Sequence, residues 1–151
     1  MVDRIHDWHE YFFALAQTVK RKSKDRSTQC GCVVIGPDKE VRAIGYNGFP
    51  RGWPDDRSED CDDRDRKYPL TIHAEANAIA NAARTGTSLK GCVLYVTAPP
   101  CAVCAGYIIQ SGISEVRYLR ANTDFSSRWK ETCDLGLEMF ETVGIKTVEH
   151  V

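Results

Sequence analysis

This chain carries two stretches that decide its fold and its chemistry, His73-Ala74-Glu75 and Pro100-Cys101-Ala102-Val103-Cys104. Imidazole and thiolate groups are ligands that zinc prefers, and three protein ligands leave a fourth position for water, as in catalytic zinc sites. Cys101 and Cys104 are three positions apart, so their thiols share one face in the first turn of a helix. We therefore predict one catalytic Zn²⁺ held by His73, Cys101 and Cys104, with Glu75 beside it as the catalytic carboxylate.

The alternative is a structural zinc in a non-catalytic interaction module, with Cys30 and Cys32 completing a cluster of four thiolates. Residues two apart in a strand point to the same side, so this arrangement is geometrically reasonable. It leaves His73 and Glu75 without a role, however, and Cys32 lies in an apolar run as a small core residue. We therefore favour the catalytic site. The other cysteines lack metal-like spacing and are predicted to be unligated: Cys61, Cys92 and Cys133.

Composition limits the class of protein. We expect a single domain over residues 1–151, large enough to bury a core. The net charge of −1 favours a small-molecule substrate over a nucleic-acid backbone, which usually requires a basic surface. No apolar stretch is long enough to span a membrane. Seven cysteines without a signal peptide indicate a reducing compartment, so we predict a cytoplasmic protein.

Hydrophobic periodicity predicts alternating helices and strands. The first helix follows from apolar residues that recur every three or four positions, with Asp3 as its cap: Ile5, Trp8, Phe12, Leu15 and Val19. Further helices are predicted at 74–83, 101–110 and 129–143, and strands at 32–35, 41–46, 93–96, 116–119 and 146–149. Residues 50–71 show no convincing period. An opening hairpin followed by alternating strands and helices favours a mixed sheet with helices on both faces.

With these segments in place, the sequence resembles the deoxycytidylate (dCMP) deaminases of the cytidine deaminase superfamily along nearly its whole length. The H-x-E and P-C-x-x-C pair is the signature of zinc nucleobase deaminases. Two further segments narrow the resemblance to the dCMP branch: Gly45-Tyr46-Asn47-Gly48-Phe49-Pro50 and His73-Ala74-Glu75-Ala76-Asn77-Ala78-Ile79.

The resemblance implies a three-layer α/β/α sandwich with a five-stranded mixed sheet. It implies hydrolysis of dCMP to dUMP and ammonia, with activation by dCTP and inhibition by dTTP. A homohexamer is the implied assembly, and Mg²⁺ is a possible companion of a bound triphosphate effector. Neither nucleic acid nor a membrane is an expected partner.

The resemblance also assigns substrate contacts. Asn47 is expected to hydrogen-bond the sugar hydroxyl, although Asn47-Gly48 is also a leading signal for a simple hairpin turn. Ala74 and Pro100, inside the two zinc motifs, are assigned to substrate binding as well. For the phosphate, Arg26 is the preferred contact, at the end of a basic run that otherwise reads as a solvated helix end.

One departure from the family concerns the phosphate. Family members commonly place a tyrosine after the fourth strand, where this chain reads Arg120-Ala121-Asn122-Thr123-Asp124-Phe125. Arg120 and Asn122 are the candidate substitutes. The missing tyrosine leaves deoxycytidine triphosphate open as a substrate.

The resemblance also implies a regulatory site, and two related deaminase activities are rivals to dCMP deamination. The family assigns Gly48 and Pro50 to a nucleotide-effector pocket, with Arg84 coupling it to the active site, whereas the charged loop at 51–68 is otherwise a solvated connection. A tRNA adenosine deaminase shares the zinc motif but should be more basic. Free cytidine deaminase is disfavoured by the basic segment around Arg26.

Overall fold

The computed structural model describes all residues from 1 to 151. The helices are α1 (Trp8–Lys20), α2 (Ser58–Cys61), α3 (Arg64–Leu70), α4 (Ala74–Thr85), α5 (Ala102–Gln110) and α6 (Thr123–Val143). The strands are β1 (Gly31–Ile35), β2 (Val41–Tyr46), β3 (Val93–Val96), β4 (Glu115–Leu119) and β5 (Lys146–His150). None of the helices combines the length and the apolar character that crossing a bilayer requires.

The five strands form one mixed sheet in the order β2-β1-β3-β4-β5. Strand β1 is antiparallel to both β2 and β3, whereas β3, β4 and β5 run parallel to one another. The parallel strands are connected by α5 and α6, as parallel pairs need a crossover rather than a tight turn. The α/β class and the five-stranded mixed sheet are therefore confirmed.

Helices cover both faces of this sheet. On one face, Phe12, Phe13 and Ala16 of α1 pack against Val33 and Tyr95. On the other face a second buried cluster joins the sheet to α4, α5 and α6 and includes Val34, Leu94, Ala78, Ile108 and Phe140. Every residue of β1 is buried, which explains its continuous apolar run. The result is three layers, as the resemblance implied.

The start of α1 differs from the prediction. The helix begins at Trp8 and its cap is Asp7, whose carboxylate accepts the Glu10 N–H at 2.8 Å. The expected cap, Asp3, lies outside the helix. Trp8 is half-exposed. The predicted apolar stripe was wrong at Ile5 and Trp8, because the buried face of α1 begins one turn later, at Phe12.

The segment at 50–71, predicted to lack regular structure, contains α2 and α3. It is organised by Asp60, whose fully buried carboxylate accepts from Trp53 Nε1 at 2.9 Å and from Arg66 Nε and Nη2 at 2.9 and 2.8 Å. The indole and guanidinium contacts hold the pKa of Asp60 below its usual value. The prediction was wrong because a buried carboxylate, rather than a periodic apolar face, orders this segment.

Candidate zinc centre and nucleotide pocket

The two sequence motifs meet where α4 and α5 begin. His73 is the N-cap residue of α4 and Cys101 is the N-cap residue of α5. His73 Nδ1 lies 3.4 Å from Cys101 Sγ and 3.5 Å from Cys104 Sγ. The three ligand atoms all lie within 4.8 Å of one another, the only such grouping of three or more His, Cys, Asp or Glu side chains in the chain. The structure thus brings together the three residues predicted to bind the metal.

The donor set of this group suits zinc. One imidazole nitrogen and two thiolates are typical of zinc sites, and three ligands leave room for a fourth. Cys30 and Cys32 do not belong to the group. Cys32 is fully buried in the core, and burial raises the pKa of Cys30 to about 12. The alternative cluster of four thiolates is therefore not the arrangement that the chain adopts.

The surroundings of the two thiols favour the thiolate, which is the metal-binding charge state, at Cys101 but not at Cys104. The neighbouring Cys104 thiol, together with the imidazole of His73, lowers the pKa of Cys101 to about 4. The same contact and burial raise the pKa of Cys104. The N-terminus of α5 adds partial positive charge beside both sulfurs, which stabilises a thiolate.

Both N-cap residues leave their helices without a side-chain cap. His73 and Cys101 have the extended backbone of N-cap residues, yet neither side chain accepts a hydrogen bond from its helix. By contrast, Asp7 caps α1, Asp63 caps α3 and Asn122 caps α6. A side chain that points to a metal cannot also satisfy the free N–H groups of a helix, so these two positions give up a stabilising contact.

Glu75 lies one residue inside α4 and is 5% exposed. Burial raises the pKa of its carboxyl group, and the nearby imidazole of His73 acts in the opposite direction. It faces the same cavity as His73 and Cys101 but is not one of the three grouped ligands. A raised pKa makes a carboxylate a stronger base, which favours a role in proton transfer.

A cavity of about 510 Å³ opens above this group. The predicted residues that line it are Arg26, Asn47, His73, Ala74, Glu75 and Cys101. Pro100 and Cys104 are buried and do not line it. The volume is sufficient for a small molecule such as a nucleotide.

Asn47 is 6% exposed and is held by both ends of its amide. Its Oδ1 accepts the Cys30 N–H at 2.8 Å, and its Nδ2 donates to the Thr28 carbonyl at 2.8 Å. The hairpin turn between β1 and β2 lies elsewhere, and Gly48 instead pairs with Ile72 in an isolated bridge. The simple hairpin interpretation of Asn47-Gly48 was therefore wrong, and Asn47 shapes the cavity floor.

Cationic side chains surround the cavity mouth. Arg26 is largely exposed and lies 3.5 Å from Asp62. Lys67 Nζ, which sequence reasoning missed, lies 3.0 Å from Asp25 Oδ1. Arg64 also lines the cavity and has no hydrogen-bond or ion-pair partner in the protein.

Helix α6 contributes a further cation. Arg128 Nη2 donates to Thr28 Oγ1 at 3.3 Å and lies 3.1 Å from Asp124 Oδ2. Neither substitute proposed for the missing tyrosine lines this cavity. Arg120 is paired with Glu149, and Asn122 caps α6 by accepting the Phe125 N–H. Both side chains instead line the adjoining cavity of about 660 Å³ together with Arg26 and Arg128, so their role in phosphate binding stays a prediction.

Aromatic side chains form a wall that the sequence did not reveal. The Trp129 ring stands 5.9 Å from the His73 ring at 88°, and Tyr68 lies 5.7 Å from Trp129. Phe125 packs on Trp129 one turn earlier in α6. The signal was available: Asn122 is a good N-cap residue, and the helix that it starts carries both aromatics on one face.

The residues assigned to regulation lie away from the cavity. Gly48 borders a much smaller neighbouring cavity. Pro50 and Arg84 are exposed, and Arg84 makes no hydrogen bond or ion pair. The structure therefore does not bring these three residues into the candidate active site.

Comparisons with known proteins agree with this geometry. Residues 6–120 match the family model described as the cytidine and deoxycytidylate deaminase zinc-binding region. An uncharacterised deaminase from Aliivibrio fischeri is 43% identical over 142 residues, covering 94% of this chain and 92% of that protein. Human deoxycytidylate deaminase is 42% identical over 117 residues, which is 75% of this chain and 65% of the human protein.

Solved structures agree on the architecture. The apo dCMP deaminase of cyanophage S-TIM5 superposes with a TM-score of 0.74 at 22% identity, covering 94% of this chain and 96% of that chain. A tRNA:A34 deaminase gives a TM-score of 0.53 at 26% identity, covering 78% and 81% of the two chains. The similarity to the cyanophage structure covers almost the whole chain.

Proposed function

Because the chain belongs to the cytidine and deoxycytidylate deaminase family, we propose that this deaminase hydrolyses dCMP to dUMP and ammonia with one catalytic Zn²⁺. The observation that carries the proposal is the convergence of His73, Cys101 and Cys104 at one end of a cavity that also contains a buried Glu75. The cyanophage deaminase has been solved with dCMP and dUMP bound, on the same fold.

The residues divide the chemistry between them. His73, Cys101 and Cys104 would hold a Zn²⁺ ion, which when bound would lower the pKa of water to about 7 and so supply hydroxide for attack on C4 of cytosine. Glu75 takes the proton from this water and delivers it to N3. The same carboxylate then takes the proton of the new C4 hydroxyl group and carries it to the amino group, so that the C4 carbonyl forms as the C4–N bond breaks and ammonia leaves. One water is consumed for each ammonia released.

Substrate recognition is assigned to the rest of the cavity. Asn47 contacts the sugar, while Ala74 and Pro100 shape the base site within the two motifs. Arg26 binds the phosphate at the cavity mouth. The nearby Arg64 and Arg128 supply further positive charge on the same cavity.

Regulation and assembly form a separate part of the proposal. We assign dCTP as activator and dTTP as inhibitor, with Mg²⁺ accompanying the triphosphate. Gly48, Pro50 and Arg84 would belong to this effector site in a homohexamer, since none of them lines the main cavity. The proposed active unit is one deaminase domain over residues 1–151.

Three alternatives remain distinguishable. A tRNA adenosine deaminase shares the fold, but a net charge of −1 is unfavourable for binding an RNA backbone. Deamination of dCTP would require the cationic mouth to accept three phosphates. A non-catalytic zinc module gives no reason for a buried carboxyl group beside the metal ligands.

A single deamination panel tests the proposal. The substrates are dCMP, dCTP, deoxycytidine, CMP and an adenosine-bearing tRNA stem-loop, each with and without added dCTP and dTTP. We expect ammonia release from dCMP, increased by dCTP and decreased by dTTP. Turnover of the tRNA stem-loop, or of none of the substrates by zinc-loaded protein, would contradict the proposed activity.

A further inference from the structure

Helix α6 lies directly against the turn that presents the two thiols. Thr132 Oγ1 accepts the backbone N–H of Ala102 at 3.0 Å. The adjacent Cys133 thiol donates to the Pro99 carbonyl at 3.4 Å. These contacts connect α6 to the residues on either side of Pro100-Cys101.

The approach of α6 to this turn is unusually close. A Cβ atom on Gly136 would lie 2.8 Å from the Pro100 carbonyl oxygen and 3.3 Å from the Cys101 carbonyl oxygen. Only glycine therefore fits at this position without a backbone shift. Thr132 and Gly136 are one helical turn apart, so one face of α6 provides both the hydrogen bond and the space.

Helix α5 has a specific need for this hydrogen bond. Its N-cap residue, Cys101, makes no side-chain cap. Ala102 is the first residue of the helix, and its N–H has no partner within the helix. Serine, threonine, aspartate or asparagine at the N-cap position would normally satisfy one of these free N–H groups.

We propose that Thr132 caps α5 from a neighbouring helix and thereby positions the Cys101 and Cys104 thiols for the metal. Thr132 is a positioning residue, because it touches the backbone of the ligand turn rather than the metal or the substrate. The proposal rests on the assigned zinc role of His73, Cys101 and Cys104. Thr132 lies beyond residues 6–120, so the matched family region does not include it.

The expected loss of metal affinity is estimated from other metal sites, in which groups that do not touch the metal orient its ligands. Groups that orient metal ligands typically change metal affinity by about 10- to 100-fold when they are removed. The Thr132 hydroxyl acts through one backbone N–H, so we expect a change near the lower limit. Because the ligands themselves remain, zinc should still bind, but it should leave faster.

The test compares Thr132→Val with Thr132→Ser in the full-length, zinc-loaded protein. Valine keeps the shape of threonine and removes the acceptor, whereas serine keeps the acceptor. The matched control is Thr142→Val, because Thr142 lies on the same helix and its hydroxyl donates to the Glu138 carbonyl at 2.8 Å, far along α6 from the ligand turn. The readouts are the rate of zinc transfer to a chromogenic chelator and the thiolate-to-metal absorption of the Co²⁺-substituted protein.

We expect Thr132→Val to lose zinc about tenfold faster and to shift the Co²⁺ spectrum. Thr132→Ser and Thr142→Val should match the wild type in both readouts. Wild-type zinc release and an unchanged spectrum in Thr132→Val would overturn the inference, as would equal effects of valine and serine at position 132. Neither readout depends on turnover, so a wild-type protein that binds zinc without deaminating dCMP would contradict the proposed function alone.

Discussion

The N-termini of α4 and α5 perform the same task with different support. Each begins with a residue whose side chain faces the candidate metal site, His73 in one and Cys101 in the other, and neither has a side-chain cap. Both helices therefore depend on neighbouring elements to hold their first turns in place. The two helices differ in which elements these are.

Helix α4 is held by the edge strand β2. Asn77 Nδ2 donates to the Tyr46 carbonyl at 2.7 Å, and Asn81 Nδ2 donates to the Ile44 carbonyl at 2.9 Å. Gly45 lies under the helix, where a Cβ atom would come within 2.4 Å of its backbone. The two asparagine side chains thus satisfy backbone carbonyl groups at the free edge of the sheet, and the same hydrogen bonds hold α4 against β2.

Helix α5 is held by α6, through Thr132 and the close approach at Gly136. The contacts of α4 fall inside residues 6–120, the region that the family model matches, whereas α6 lies beyond that region. One half of the site is therefore supported by residues within the matched region and the other half by a helix that follows it.

The largest effect is expected at Glu75, which only α4 provides. Glu75→Ala should reduce turnover at least about 10²- to 10⁴-fold, the usual contribution of a general acid–base group, while zinc content stays unchanged. Deamination rate and bound zinc are measured on the same preparation. Full activity of Glu75→Ala would show that α4, like α5, provides a candidate metal ligand but no catalytic group.

A smaller effect is expected for the two arginines at the cavity mouth, one in the matched region and one in α6. Arg26→Ala should weaken dCMP turnover about tenfold or more, since a hydrogen bond to a charged group contributes about 1.5–3 kcal/mol. Arg128→Ala should act in the same direction. Residual deoxycytidine turnover should stay unchanged in both.

Kinetics on dCMP and deoxycytidine check this expectation, with Arg21→Ala as the control because Arg21 is exposed, makes no side-chain hydrogen bond or ion pair and does not line the cavity. Equal losses on both substrates would indicate a role in folding rather than in phosphate binding. A loss for Arg26 alone would place phosphate recognition entirely within the matched region.

The glycines under the two helices test the supports themselves. Gly45→Ala and Gly136→Ala should each destabilise the fold by about 1–3 kcal/mol, because an added methyl group meets backbone that cannot move freely. Gly45→Ala should cost more, since its contact distance of 2.4 Å is shorter than the 2.8 Å at Gly136.

Urea unfolding measures these free energies, and Gly106→Ala is the control. A Cβ atom at Gly106 would meet only the end of the Met139 side chain, at 3.8 Å. If Gly45→Ala unfolded at the same urea concentration as the control, the close packing of α4 on β2 would not matter for stability.

The smallest effect concerns the missing caps. His73→Asn and Cys101→Ser each place a good capping residue at an uncapped helix, so the metal-free protein should gain about 1 kcal/mol in stability. Deaminase activity should be lost in both, because each change removes a metal ligand. Thermal unfolding compares the stability of the two metal-free variants with that of the metal-free wild type. If both variants were less stable than the wild type, His73 and Cys101 would not reduce stability by leaving their helices uncapped.

The sequence was sufficient for features that are encoded locally. Spacing alone predicted the three side chains that the structure groups as candidate metal ligands, because His73 and the Cys101–Cys104 turn each occupy a helix start with its own sequence signal. The strands followed from buried apolar runs. The five-stranded mixed sheet came from the resemblance and the position of Glu75 beside the ligands from that same spacing, whereas the order of the strands was not predicted.

Other features depend on contacts between distant residues and could not be predicted in this way. Asp60 orders its segment by being buried among cationic and indole side chains, although an aspartate in a charged run normally indicates a solvated loop. Trp129 and Thr132 were visible only as positions within a helix. Their roles depend on where α6 lies against α5, which no local pattern specifies.

X-ray absorption at the zinc edge of the purified, full-length protein measures which atoms surround the metal at the N-termini of α4 and α5. Three protein ligands and one water predict two sulfur atoms at about 2.3 Å and two lighter atoms, one imidazole nitrogen and one oxygen, at about 2.0–2.1 Å. Glu75→Ala should give the same spectrum. A shell of four sulfur atoms, or an active preparation that contains no zinc, would contradict a catalytic metal held by His73, Cys101 and Cys104.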